Sequence, residues 1–287
     1  MIQNLFSNLL MPVAIAFIMF GIGLNLRFQD FGIIFSRPKA IIIGLVAQMI
    51  LLPLIAFALN HFLDISPILK VGFVLIAACP GGTTSNLVTL FLRGRLALAV
   101  ALTAFSSFLI LFTIPIIVNI ALRIYEGHEE DISLPFAGTV LDIFLTVLLP
   151  TILGMLLREL RPVFANALRK PINNLMLIIL LLAFVGIILF ENQGSGDILR
   201  HKNLFLPSFL LNLISMLAGY LLALFSGINN RGRFTIAIQV GLQNSALAIY
   251  VASKLLGQNE MAIVAVVYGT FTLFTTAFYA YLMKRYL

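Results

Sequence analysis

Charge is scarce in this chain. Only 10% of its 287 residues are Asp, Glu, Lys or Arg, against 61% hydrophobic, and the mean hydropathy is +1.09. That balance excludes an ordinary soluble domain. Cysteine occurs once, as Cys79, so no intrachain disulfide is possible; beside Pro80 it reads as a small buried residue. Residues 1–26 contain no Lys or Arg. The first apolar segment therefore lacks the basic flank of a cleavable signal peptide and reads as a membrane span. The three histidines, His61, His128 and His201, fall at expected outer loops without ligand spacing, which argues against a His-built metal site.

Long apolar runs are abundant. Segments able to cross a roughly 30 Å hydrocarbon layer as helices of about 20 residues lie near 9–26, 39–61, 69–92, 96–122, 136–157, 172–190, 203–226, 232–255 and 260–283. They are rich in Leu, Ile and Phe without strand-like alternation, so helices are expected rather than barrel strands. Alternate loops then collect Arg27, Arg37, Lys39, Arg93, Arg95, Arg158, Arg161, Arg169, Lys170, Arg231, Arg233, Lys284 and Arg285, 13 of the 18 basic residues. Basic loops face the cytoplasm. The N-terminus is thus expected outside and the C-terminus inside, in a cell (inner) membrane. The net charge of +7 is spread over these short loops and forms no basic stripe, so no nucleic-acid partner is expected. The Arg93-Gly94-Arg95 turn reads as anchoring of this kind.

Two spans are interrupted by polar residues. In the third, "CPGGTTSN" places Pro80, Gly81 and Gly82 before Thr83, Thr84, Ser85 and Asn86; in the eighth, "IQVGLQNSA" sets Gln239, Gln243, Asn244 and Ser245 around Gly241. A helix broken at membrane depth frees backbone N–H and C=O groups that must be buried in protein or line a wet cavity. Freed carbonyls with amide and hydroxyl oxygens suit a hard cation, whereas half-helix N-termini favour anions. The third span runs inward and the eighth outward. Paired breaks of opposite direction point to a carrier with inverted repeats and a site near the bilayer midplane.

At the level of motifs, "CPGGTTSNLVTLFLRG", "LALAVALTAFSS", "IQVGLQNSALA" and, at 41–53, "IIIGLVAQMILLP" resemble the bile acid:sodium symporter family. The resemblance runs in order over nearly the whole chain. It implies an all-α polytopic membrane protein with about nine transmembrane helices, one fewer than the ten common in bacterial members. It further implies two broken crossing helices, a core domain (about 39–122 and 203–287) and a panel domain (about 1–38 and 123–202), within one transporter domain over 1–287. Carried over residue by residue, it implies a first sodium site at Ser85, Asn86, Ala99, Thr103 and Gln239. A second would use Gln48, Gln243 and carbonyls near Gln239, Val240 and Leu242. Thr83, Thr84, Asn244, Ser245, Thr275 and Thr276 would face the solute. Gln239 stands where the family usually has a glutamate, Ala99 where a hydroxyl is common, and Thr275 and Thr276 where bacterial members can carry a His-Asn pair.

The resulting expectation is a secondary active transporter of a small organic anion, bile-acid-like or a carboxylate metabolite. It is expected to work as a monomer by alternating access, with Na⁺ as a possible coupling ion and no other cofactor. Alternatives are a sodium-independent carrier or a non-transporting sensor of the same fold. An intramembrane enzyme would need paired acids or a nucleophile and base within the spans, and Asp142 is the one acid there.

Overall fold

The computed structural model describes residues 11–32, 38–127, 135–169, 171–172, 174–175, 178–179 and 202–283. Ten helices frame the site, and a further helical stretch runs over 162–169. The ten are α1 (Met11–Gly23), α2 (Pro38–His61), α3 (Pro67–Ala78), α4 (Thr83–Phe91), α5 (Leu96–Tyr125), α6 (Phe136–Leu160), α7 (Phe205–Phe225), α8 (Asn230–Gly241), α9 (Ser245–Leu255) and α10 (Asn259–Met283). No β-strand forms among the described residues. Four helices there are long and apolar enough to cross a membrane: α2, α5, α6 and the stretch Lys202–Phe225 that contains α7.

The expected third and eighth spans are each present as two short helices with a break between them. α3 stops at Ala78 and α4 starts at Thr83; α8 stops at Gly241 and α9 starts at Ser245. Cys79 is fully buried at the first break, in extended conformation. The expected sixth span at 172–190 lies almost wholly outside the described residues.

Helices in hydrocarbon gain little from hiding apolar surface from lipid, so close backbone approach and hydrogen bonds must hold them together. α1 and α6 cross on two glycines. A Cβ on Gly23 would stand 2.1 Å from the Thr151 carbonyl oxygen, and one on Gly154 would stand 2.3 Å from that of Phe20. Neither backbone oxygen can move aside without bending its helix. Beside the contact, the Thr151 hydroxyl donates to the Val147 carbonyl of its own helix at 2.6 Å and lies 3.3 Å from the Met19 carbonyl of α1. Around the other elements, α5 packs on α3, α7 on α8, and α10 on α3, α7 and α9.

On α5 the faces are sorted by environment. Thr103, Ser106, Ile110, Ile114 and Val118 are buried, while Phe108, Phe112, Ile116, Ile120 and Ile124 form an exposed row at four-residue spacing. An exposed apolar row of that length suits hydrocarbon rather than water.

Three helices are locally widened into π turns, at Ala47–Leu51 in α2, Phe144–Leu148 in α6 and Val251–Leu255 in α9. The first two each precede a proline, Pro53 or Pro150. Proline lacks the N–H for its own helical bond and its ring crowds the carbonyl four residues back, and a wider turn relieves both. The first of these turns carries Gln48.

Candidate functional site

The two breaks meet. Gly81 and Gln243 pair as an isolated antiparallel bridge, and the Asn244 N–H donates to the Pro80 carbonyl at 2.9 Å. Backbone groups released by one broken helix are thus partly taken up by the other. The C-termini of α3 and α8 and the N-termini of α4 and α9 converge on this crossing, bringing carbonyl ends and N–H ends to one place.

Glycine is needed here for proximity rather than for a left-handed backbone. A Cβ at Gly81 would lie 2.4 Å from Gln239 Oε1 and 3.2 Å from Gln48 Nε2. One at Gly241 would lie 2.2 Å from Met216 Cγ, whereas Gly82 has nothing nearer than 3.9 Å.

Two polar groups flank the bridge. In the first, Gln239, Asn86, Ser85 and Thr103 are brought together, all buried. Gln239 Nε2 donates to Asn86 Oδ1 at 2.9 Å. The Ser85 hydroxyl lies 2.6 Å from the Gly82 carbonyl and 3.0 Å from Gln239 Oε1, two acceptors for one proton. The Thr103 hydroxyl has the Ala99 carbonyl at 3.1 Å, Asn86 Oδ1 at 3.2 Å and Gln239 Oε1 at 3.4 Å. Ala99 contributes its carbonyl to this group although its side chain cannot.

The second group is Gln48, Gln243 and the end of α8. Gln48 Nε2 faces the Gln239 carbonyl at 3.5 Å, and Gln243 Nε2 donates to the Val240 carbonyl at 2.7 Å. Their oxygens differ from those of the first group: Gln48 Oε1 and Gln243 Oε1 are buried and receive no hydrogen bond. Leaving a buried amide oxygen unpaired costs about 1–3 kcal/mol, and a cation is one way to satisfy two of them. Every side chain in the two groups is neutral, so attraction for a cation rests on dipoles alone.

The remaining solute-facing expectations separate. Asn244 is buried and its Oδ1 accepts from the Leu247 N–H at 3.1 Å, making it the N-cap of α9. Ser245 is buried next to it and Thr84 is exposed. The Thr275 hydroxyl donates to Asn212 Oδ1, so it is engaged within the protein. The side chains of Thr83 and Thr276 lie outside the described residues.

Sequence reasoning missed Asn212 and Tyr268. Both are fully buried, and both donate to the Gly241 carbonyl, Asn212 Nδ2 at 2.6 Å and the Tyr268 hydroxyl at 2.7 Å. They hold the cut end of α8 from α7 and α10. The signal was a lone amide in the apolar run "FLLNLISM" at 209–216, where an unpaired polar residue is costly enough to imply a partner. The Arg93-Gly94-Arg95 turn has a packing role: Arg93 adopts φ 55°, and the Arg95 N–H donates to Thr235 Oγ1 at 2.8 Å, tying the turn between α4 and α5 to α8.

Comparisons with known proteins agree with this architecture. The model of the Sodium Bile acid symporter family matches residues 12–195. An uncharacterized sodium-dependent transporter of Bacillus subtilis is 30% identical over 84% of this chain and 73% of its own length. The human hepatic sodium/bile acid cotransporter is 30% identical over 85% of the chain and 69% of its own length. The human ileal sodium/bile acid cotransporter is 27% identical over 99% and 82%. These relatives are transporters, not enzymes. With the family model matching well over half of it and its two broken helices meeting at a neutral oxygen-rich crossing, the chain belongs to the Sodium Bile acid symporter family.

Proposed function

We propose that the protein is a secondary active transporter that moves a small organic anion through alternating access, driven by Na⁺. The observation that carries this reading is the pair of buried, unpaired oxygens, Gln48 Oε1 and Gln243 Oε1, at the crossing of two broken helices. Neutral amide oxygens with the Gln239, Val240 and Leu242 carbonyls offer Na⁺ the hard ligands it prefers. The anion would be met by the N-terminal ends of α4 and α9, with Thr83, Thr84, Asn244 and Ser245 nearest to it. Thr275 and Thr276 would line its far side.

In this reading nine spans cross the cell membrane with the N-terminus outside. A core built on α2–α5 and α7–α10 rocks against a panel that includes α1 and α6, and the monomer is the working unit. Sodium lowers the cost of placing an anion at the crossing, and the anion does the same for sodium, so the two bind cooperatively. The bile acid or metabolite character of the solute follows only from what the relatives are named for.

Uptake into proteoliposomes tests the reading directly. A panel of carboxylate and bile-acid-type anions, offered with an inward Na⁺ gradient and with K⁺ in its place, should identify at least one that accumulates only with Na⁺. Accumulation equal in Na⁺ and K⁺ would instead mark a sodium-independent carrier.

A further inference from the structure

The two polar groups at the crossing are chemically unlike. Around Gln239 the hydrogen bonding is closed on itself: the amide N–H enters the ring of oxygens and is received by Asn86 Oδ1, while Gln239 Oε1 faces the Ser85 and Thr103 hydroxyls. None of these four side chains has a buried polar atom left without a partner. Exchanging the nitrogen and oxygen of the Gln239 amide would change which oxygens receive its hydrogens, but the ring would still contain them. Around Gln48 and Gln243, two buried oxygens are left over.

We infer that the Gln239 amide acts as a tethered substitute for a cation: its N–H occupies the ring formed by Ser85, Asn86 and Thr103, so this group binds no Na⁺ and coupling is confined to the Gln48–Gln243 group. The inference deepens the reading given above and rests on it for the second half only. Three features carry it.

The first is occupancy. A cation entering the ring must turn out an N–H that already sits at hydrogen-bond distance from the oxygen it would need. The second is charge. Neither group holds a counter-charge for a buried ion, so the choice between them falls to their oxygens, and only the Gln48–Gln243 group has buried ones without a partner. The third is space. Gly81 leaves room for Gln239 Oε1 where a Cβ would be 2.4 Å away, so the opposite break is shaped to accept the amide in the ring.

Binding of ²²Na⁺ to purified protein tests this without knowing the solute. Gln239→Glu puts a carboxylate in place of the amide, removes the N–H and supplies the missing charge. The variant is expected to bind one more Na⁺ per chain than the wild type, and an unchanged count overturns the inference. Thr103→Val gives a second test that does not depend on the glutamate variant folding. It removes a ring oxygen at nearly constant volume, and wild-type Na⁺ affinity should change less than twofold. A tenfold loss would show that the ring holds the ion after all. The sodium-driven reading is tested separately by Gln48→Ala, which should abolish binding. If the wild type binds no Na⁺ at all, that reading fails, while the difference between wild type and Gln239→Glu still decides the fate of the ring.

Discussion

The Asn244 N–H and the Pro80 carbonyl are joined at 2.9 Å, so each broken helix supplies what the other lacks. A proline follows the end of α3 with an acceptor to spare, and the residue that caps α9 brings a donor. Asn244 has two tasks in the fold: its backbone bridges the breaks and its Oδ1 caps α9. In the function proposed above, its amide nitrogen takes a third, toward the solute.

Those tasks separate by substitution. Asn244→Ala removes the cap and should lower stability by about 1 kcal/mol, read as thermal unfolding in detergent. Asn244→Ser retains a good cap and should unfold like the wild type while losing affinity for the transported anion. Equal anion affinity in the serine variant would take the Asn244 amide out of the solute site.

Neighbouring glycines should respond very differently. Gly82→Ala meets nothing within 3.9 Å and has an extended backbone (φ −93°) open to any residue, so transport and folding should persist. Gly81→Ala drives a methyl into Gln239 Oε1 and toward Gln48. Overpacking of this kind costs about 1–3 kcal/mol, and here it falls on both polar groups at once. We expect sodium binding to fail in Gly81→Ala before folding does, measured as ²²Na⁺ retention against residual folded protein.

The Gly241 carbonyl has two donors, and their removal should be non-additive. Tyr268→Phe leaves Asn212 in place and should cost about 1 kcal/mol, whereas Asn212→Leu also takes away the Oδ1 to which Thr275 donates, leaving that hydroxyl the Phe271 carbonyl at 3.0 Å, and should cost about 1–3 kcal/mol. In the double variant the combined loss should differ from the sum by more than about 0.5 kcal/mol, the sign of a shared network. Simple additivity in chemical denaturation would mean that the two donors act independently.

At the α1–α6 crossing, Gly154→Ala should destabilise by about 1–3 kcal/mol, because its methyl would meet backbone atoms of Phe20, Gly23 and Leu24 rather than a movable side chain. The contrast is Gly138→Ala, whose methyl would reach only Pro135 Cβ at 3.8 Å. Melting temperatures of the two variants should diverge clearly, and comparable temperatures would mean that the helices part at little cost.

The breaks could be read from the sequence because a proline, paired glycines and clustered amides at membrane depth are ill suited to an unbroken helix; both fall where expected. Ser85, Asn86 and Gln239 stood out within the breaks themselves, but Gln48 and Thr103 were reachable only through resemblance to a family, since a single amide or hydroxyl in a span more often bonds a neighbouring helix. That is the case for Thr275, which bonds Asn212. The π turn presenting Gln48 was hidden because Pro53 marks a disturbance without giving its form. The saturation of one polar group and the deficit of the other depend on side-chain geometry that no spacing encodes. Asn212 and Tyr268 went unnoticed because they are isolated in apolar surroundings, with a backbone carbonyl as partner.

Cys79 is the sole thiol of the chain, fully buried, and adjacent to the proline whose carbonyl ties the two breaks together. Its reaction with a membrane-permeant maleimide is therefore a clock for separation of the crossing, with no competing cysteine to remove. A crossing that travels through the transport cycle as one piece keeps the thiol silent during turnover and labels only on unfolding. Labelling that accelerates under a sodium gradient would locate the moving joint at the breaks themselves.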